Sequence, residues 1–317
     1  MAGQIVEVDR VEILTLQDNY VDLVSRDNTA VIQRAMPLKG LEVKNSILAE
    51  HGFSALVTVT RNGQARSLLF DFGFSENGAA FNAEALNADL GRVEALALSH
   101  GHLDHTGGLA RLAALIGQPG LELVLHPAAF RRPRYMKITE EFKVYFPSFT
   151  REMVQAAGLK LVETDKPYPL LDGGVLFLGE VARVTPFEKG TPYIFYQEAG
   201  REKWDPIEDD TGIVMNLKGK GLVVLSGCAH SGIVNTVKHA RSVTGINQVH
   251  CVMGGFHLTG PELAAVVGPT TEALKDINPD YIVPTHCTGR QPALVMEKEM
   301  PEKFLLNMSG TKMTFSS

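Results

Sequence analysis

Three imidazoles and one carboxylate fall within six consecutive residues, His100-Gly101-His102-Leu103-Asp104-His105. The run Val93 to Leu98 before them reads as a buried strand, and Gly107 to Ile116 after them reads as a helix. The cluster therefore sits on a strand-to-helix loop, a place where α/β folds commonly carry chemistry. In an extended segment alternate side chains share a face, so His100 and His102 can reach one ion together. Asp104 and His105 follow where the chain turns toward the helix, and can point back to hold a second. Neutral imidazole and carboxylate suit zinc first, and also manganese or ferrous iron, so one or two divalent ions are expected. Two metals about 3.5–4 Å apart can share a hydroxide and clamp a phosphoryl or acyl oxygen. The competing reading is a set of solvated surface histidines. Four donors among three glycines, Gly101, Gly107 and Gly108, weigh against it.

The pattern after residue 50 occurs twice. Ala55, Val57 and Val59 alternate, Asn62-Gly63 makes a turn, and Ser67-Leu68-Leu69-Phe70 returns as a hairpin ending at Asp71. A helix is expected over Ala79 to Leu90, and the histidine loop follows. In the second half Thr211 to Leu217 and Leu222 to Leu225 form a hairpin ending at Ser226-Gly227-Cys228. A helix from Ile233 to Ser242, a strand over Val249–Met253 and a loop bearing His257 complete the repeat. Such a repeat predicts an α/β chain of two pseudo-symmetric halves, a four-layer αββα sandwich with sheets inside and helices outside. Residues 1–317 fit one domain. Two segments break the plan. Residues 127–169 concentrate arginines and aromatics and read as a lid insertion over the site, or as a surface helical insertion whose aromatics merely pack. Glu188 to Asp210, which holds the sole tryptophan, Trp204, reads as a flap or long loop, or as an oligomer contact.

With a net charge of −6 and no basic stripe, no nucleic-acid partner is expected. Three cysteines, Cys228, Cys251 and Cys287, form no C-x-x-C pair, which suits a reducing compartment. The N-terminal residues hold no hydrophobic signal core, and no apolar run approaches the ~20 residues of a membrane helix. The expectation is a cytoplasmic protein with a small-molecule, phosphorylated substrate and no membrane partner.

H-x-H-x-D-H after a strand resembles the signature of the metallo-β-lactamase superfamily. Ser226-Gly227-Cys228-Ala229-His230-Ser231-Gly232, Gly254-Gly255-Phe256-His257-Leu258 and Pro284-Thr285-His286-Cys287-Thr288-Gly289 resemble one branch of it. That branch is named after a synthase of methanopterin biosynthesis, 7,8-dihydropterin-6-methyl-4-(β-D-ribofuranosyl)-aminobenzene-5′-phosphate synthase. The resemblance runs from about Asp18 to about Gly289 and implies the same sandwich. It also implies that His286 completes the second metal, where a capping histidine is the alternative, and that Asp71 accepts the free N–H of a metal-bound histidine. His230, at a strand end, is the candidate for the remaining ligand of the first metal. The superfamily usually has Gly-Asp, with a bridging aspartate, where this chain has Gly227-Cys228. Cys228 is therefore read as a ligand, a substrate contact or a buried small residue. His257, Glu180 and Asn19 are further candidates near substrate, whereas His51, His126, His239 and His250 are read as structural.

The resemblance implies an enzyme, first a hydrolase using a metal-bound hydroxide on a phosphoester, lactone or similar bond, with Asp104 orienting the hydroxide or taking its proton. The alternative is a transferase that condenses a dihydropterin pyrophosphate with an aryl amine. Arg131, Arg132 and Arg134 would then hold phosphates, and Tyr135 or Phe142 would stack on the pterin. A third class is a ligand sensor without turnover.

Overall fold

The Asn62-Gly63 turn has φ of 51° and 77°. Two left-handed residues give the hairpin turn whose twist matches that of the strands it joins. Strand Ser54–Arg61 accordingly pairs antiparallel with Gln64–Phe70, from Arg61 opposite Gln64 to Ala55 opposite Phe70. In this computed structural model, which describes residues 5–43 and 45–317, the same arrangement recurs. Gly212–Leu217 pairs antiparallel with Gly221–Ser226. After each hairpin the chain adds two parallel strands. Val93–Ala97 and Glu122–Leu125 follow the first, and Val249–Gly255 and Tyr281–Thr285 the second.

Alternation along these strands divides their side chains between two cores. Leu68, Phe70, Ala95 and Val124 meet Phe177, Met215, Leu225 and Met253 in one apolar core between the sheets. Leu69, Leu96 and Leu123 point the other way, onto Ala79, Ala83, Leu109, Leu112 and Ile116 of helices Gly78–Ala85 and Leu109–Ile116. On the far side Leu222, Val224, Val252 and Ile282 pack on Ile233, Val237 and Leu274 of helices Ile233–Thr244 and Ala264–Ile277. Helix, sheet, sheet and helix thus follow one another, as the repeat predicts. One expected helix is shorter, ending at Ala85, because Asn87 turns left-handed at φ 52° and a separate short turn begins at Leu90.

The two irregular segments differ more from expectation. Of residues 127–169, Arg134–Lys137 and Lys143–Tyr145 do leave the sandwich, but as a hairpin rather than helices. This hairpin pairs with a second one, Ile194–Glu198 with Arg201–Trp204, which replaces the expected flap, in a separate four-stranded sheet. The remainder is core. Lys160–Glu163 extends the first sheet beside Glu122–Leu125, and Tyr168–Leu170 joins the second through Val175–Phe177. No helix among the described residues is long and apolar enough to cross a membrane.

Each parallel strand delivers its following loop to one edge of the sandwich, and ligands in such sheets collect at the carboxyl ends of strands. Asp71, the 99–105 loop, Cys228 to His230, His257 and His286 all follow such ends. Four of these turns use a non-glycine residue at positive φ: Asp71, Ala229, His257 and His286. Conformations of that kind cost about 1–3 kcal/mol each and concentrate at functional sites.

Candidate metal centre

Asp71 organises the histidine loop from beneath. Its side chain is fully buried, and Oδ1 accepts the Ser99 amide at 2.7 Å. Oδ2 accepts the Ser99 hydroxyl at 2.7 Å and His105 Nδ1–H at 2.6 Å. The His105 ring is thereby fixed with Nε2 toward the cluster, the arrangement that carboxylates impose on metal-binding imidazoles. Gly227 closes this floor. A Cβ there would lie 2.1 Å from Ser99 Oγ and 2.6 Å from Asp71 Oδ2, so any side chain would displace the network. Extended backbone ends at His102, with φ −77° and ψ 152°, and the short helix Leu103–Thr106 then turns Asp104 and His105 back over the site.

The candidate ligands gather into donor groups whose ligand atoms all lie within 4.8 Å of one another. Asp104, His105, Cys228 and His286 form one, His100, Cys228 and His230 a second, and His100, His102 and Asp104 a third. His100 Nε2 is 3.0 Å from His102 Nδ1, and the rings of His102 and His230 are 5.0 Å apart. On the other side His286 Nε2 lies 3.2 Å from Asp104 Oδ2. Cys228 belongs to both sides. It is buried, its Sγ is 3.1 Å from His105 Nε2, and it joins a fourth group with His257 and Cys287. The thiol thus occupies the junction between the two histidine sets.

Burial pushes the pKa of His100 and His230 well below the imidazole range, and neighbouring imidazoles push it further. His102 falls to about 4, again chiefly through burial. Burial also opposes the charged form of His105, but the carboxylates of Asp71 and Asp104 outweigh it and hold the group up at about 9. Burial likewise works against the Asp104 carboxylate, yet His105 and His286 keep it well below the usual carboxylate range. An ionised carboxylate and a protonated His105 therefore stand beside the neutral imidazoles of His100, His102 and His230. Buried His102 Nε2 and His230 Nε2 have no hydrogen-bond partner. Each orphaned polar atom costs about 1–3 kcal/mol. A divalent cation satisfies this set, since imidazole, carboxylate and thiolate are zinc-type donors, and the residues fit the metal that the loop predicts.

A pH dependence follows for protein stripped of divalent cations by a chelator. His105, raised in the fold, adds stability that is complete below its unfolded pKa of about 6.5 and is lost as pH rises through 9. His102, lowered in the fold, adds stability present above about 6.5 and lost as pH falls through 4. Each change is on the order of 3 kcal/mol. Urea unfolding of the stripped protein is expected to give greatest stability near pH 6.5. A flat profile from pH 5 to 9 would contradict these environments.

Other residues were harder to foresee. Asn19 acts as a positioner, with its Oδ1 accepting from His286 Nδ1 at 3.0 Å and turning Nε2 toward Asp104. His51, expected to be structural, has Nε2 3.5 Å from Asp104 Oδ2 and a ring 4.7 Å from that of His286. His126, His239 and His250 do have structural partners: the Ala128 amide, the Leu178 carbonyl and Asp280. Glu180 is not brought to the cluster. It is more than half exposed and faces His126 at 3.7 Å. Asp209 and Asp210 gave no distinctive spacing, yet both are buried beneath the site. Asp209 accepts the Gly101 amide at 2.8 Å and binds Arg134. Asp210, which burial raises to about 6, accepts the Ser231 amide at 2.8 Å.

The expected phosphate grip is corrected by the same network. Arg134 is buried and paired with Asp205 and Asp209, and Arg131 is paired with Asp205 and Glu208. Tyr135 is fully buried with its hydroxyl on Glu202, so it cannot stack on a ligand. The insertion instead presents Phe146, whose ring is 5.0 Å from that of His102. Phe146 joins Phe74, Met136 and Ile194 around a cavity of about 370 Å³ that reaches Asp104, Cys228, His230 and His257.

A family model described as the metallo-beta-lactamase superfamily matches residues 50–286. The chain is 30% identical over 312 residues to the 7,8-dihydropterin-6-methyl-4-(β-D-ribofuranosyl)-aminobenzene-5′-phosphate synthase of Methanocaldococcus jannaschii, covering 96% of each chain. It is 31% identical over 245 residues to an uncharacterised protein of that organism, MJ0448, covering 76% of this chain and 85% of the other. Among solved structures, Tm1679, described as a metal-dependent hydrolase of the beta-lactamase superfamily, superposes with a TM-score of 0.72 at 24% identity. That match covers 97% of this chain and all of the other, and shows the shared fold.

Proposed function

The chain belongs to the metallo-β-lactamase superfamily, and from that premise we propose that it is a metal-dependent hydrolase of a phosphoester, lactone or similar bond in a small molecule. The observation that carries this reading is the meeting of two donor sets at Cys228 beneath an open cavity. His100, His102 and His230 would hold one ion, and Asp104, His105 and His286 a second, with the Cys228 thiol within reach of both sets. A bound divalent cation supplies Lewis acidity and brings the pKa of a water down toward neutrality. Asp71 and Asn19 fix the nitrogens that His105 and His286 present. Asp104, with an ionised oxygen at the cavity wall, orients the attacking group and accepts its proton. Phe74, Phe146 and Met136 exclude water around the reacting bond. Elemental analysis of protein purified without chelators is expected to give close to two zinc, manganese or iron ions per chain. One ion or fewer would mean that a thiol in place of the usual carboxylate does not support a paired site.

A second reading is favoured by the synthase relative, which is similar over nearly the whole chain. In that reading an aryl amine replaces water, and pyrophosphate leaves a dihydropterin. Because Arg131 and Arg134 are consumed by internal ion pairs, the phosphates would rest on the metals rather than on these arginines. Pyrophosphate release that requires an added aryl amine would establish this reaction, whereas release in water alone would favour hydrolysis.

A further inference from the structure

A second chamber, of about 560 Å³, opens on the other side of His230 and His257, which line both it and the cavity over Asp104. Its size falls within the roughly 300–1,000 Å³ of sites that enclose a small molecule. Phe187, Phe195, Trp204, Leu258, Leu263 and Val266 supply its apolar walls. Phe187 comes from the coil before Ile194, and the others from the separate four-stranded sheet, the 256–263 loop and the helix after it, so the chamber is built jointly by the insertion and the sandwich. The Trp204 ring is held as a wall because its Nε1–H already donates to the Thr191 carbonyl at 2.9 Å. Gly190 lets the neighbouring loop close on that ring. It sits at φ +92°, and a Cβ there would be 3.2 Å from Trp204 Cζ2.

The inner wall is polar in a particular way. His257 is largely buried, and neither of its ring nitrogens has a nitrogen or oxygen partner; the polar groups beside it are the Cys287 and Cys228 thiols. Its ring lies 4.0 Å from that of His230. The one carboxylate deep in the chamber, Glu188, is committed to the first turn of a helix, accepting the Val234 and Asn235 amides at 2.9 and 2.8 Å. A ligand that fits must therefore be apolar through most of its body and place a hydrogen-bonding group at His257.

We propose that this chamber is a binding site for a planar aromatic group of one or two rings, whose polar edge meets His257 while the reacting part of the same or a second substrate occupies the metal cavity. Flat rings bury large area against Trp and Phe at low entropic cost and add favourable ring contacts of about 0.5–1.5 kcal/mol. The site rests on the proposed function only for what lies beyond His230, because ring binding itself needs no turnover.

The test uses Trp204, the only tryptophan of the chain. Metal-loaded protein is titrated with 1-naphthyl phosphate and, separately, with glycerol 3-phosphate, reading Trp204 fluorescence and, by calorimetry, affinity. The aromatic ester is expected to bind at least tenfold more tightly and to change the fluorescence saturably. Val266→Phe, which fills the chamber from the helix side, is expected to abolish that preference while metal content and glycerol 3-phosphate affinity stay unchanged. Leu263→Phe provides a second block should Val266→Phe fold poorly. Equal affinities for the two esters, or a preference that survives both blocking variants, would overturn the chamber. Absence of hydrolysis with retained aromatic binding would instead count against the proposed reaction and leave the chamber standing.

Discussion

Asp104→Asn is expected to lower kcat on a chromogenic phosphoester such as bis(p-nitrophenyl) phosphate by about 10²–10⁴-fold, the usual worth of a positioned acid or base. The carboxylate is the convergence point of the site. His286, His51 and His105 each bring Nε2 to Oδ2, at 3.2, 3.5 and 3.7 Å. His105 and His286 hold it ionised, so an anionic oxygen persists at the cavity wall around neutral pH. Asparagine keeps the shape and one acceptor, but it has no negative charge and cannot take up a proton. Losing the charge that His105 and His286 stabilise also costs the metal-free fold some stability, so rates are compared well below the variant's own melting temperature. Two roles can be separated by adding excess zinc. Recovery of the rate would make Asp104 chiefly a ligand, and persistent loss at full metal content would make it the proton acceptor. A near-wild-type rate without added metal would sink the mechanism.

The sandwich and the first loop were legible because they are local. Two-residue turns, period-two alternation and a dense H-x-H-x-D-H run are all short-range signals. What the sequence concealed depends on contacts between distant segments. Nothing beside Asn19 or His51 announces that they meet His286, more than 200 positions away, because the meeting is made by loops from opposite halves. Arg131 and Arg134 were misread for the same reason. A basic cluster looks free in sequence, and its neutralising carboxylates, Asp205 and Asp209, arrive from the next hairpin. The insertion boundary failed because two of its strands are short and pair with remote partners, so their pattern alone could not separate core from lid. Cys228 shows the opposite case. The departure from Gly-Asp was visible, but only the folded chain puts the thiol between both histidine sets.

The same dependence on distant contacts makes Asp71 the most sensitive residue beneath the site. Asp71→Asn is expected to destabilise the metal-free protein by about 3 kcal/mol, since buried hydrogen bonds to charged partners are worth about 1.5–3 kcal/mol each. The carboxylate accepts three of them, and an amide cannot accept all three. The effect has a signature that general loosening lacks. Without the Asp71 charge the largest support for protonated His105 is gone and Asp104 is left to oppose burial, so the pKa falls toward its unfolded value. The loss of stability between pH 6.5 and 9 is then expected to shrink, while the loss below pH 6.5, which comes from His100, His102 and His230, remains. Zinc affinity is expected to drop by about 10–100-fold, because His105 no longer has its tautomer fixed. Ser99→Ala is the matched control: it removes the hydroxyl bonds to Oδ2 and to His100 Nδ1 but leaves the Asp71–His105 contact, so it should cost stability without flattening the alkaline limb. An alkaline limb undiminished in Asp71→Asn, or a zinc affinity that does not move, would show that Asp71 supports the loop without controlling the ligand.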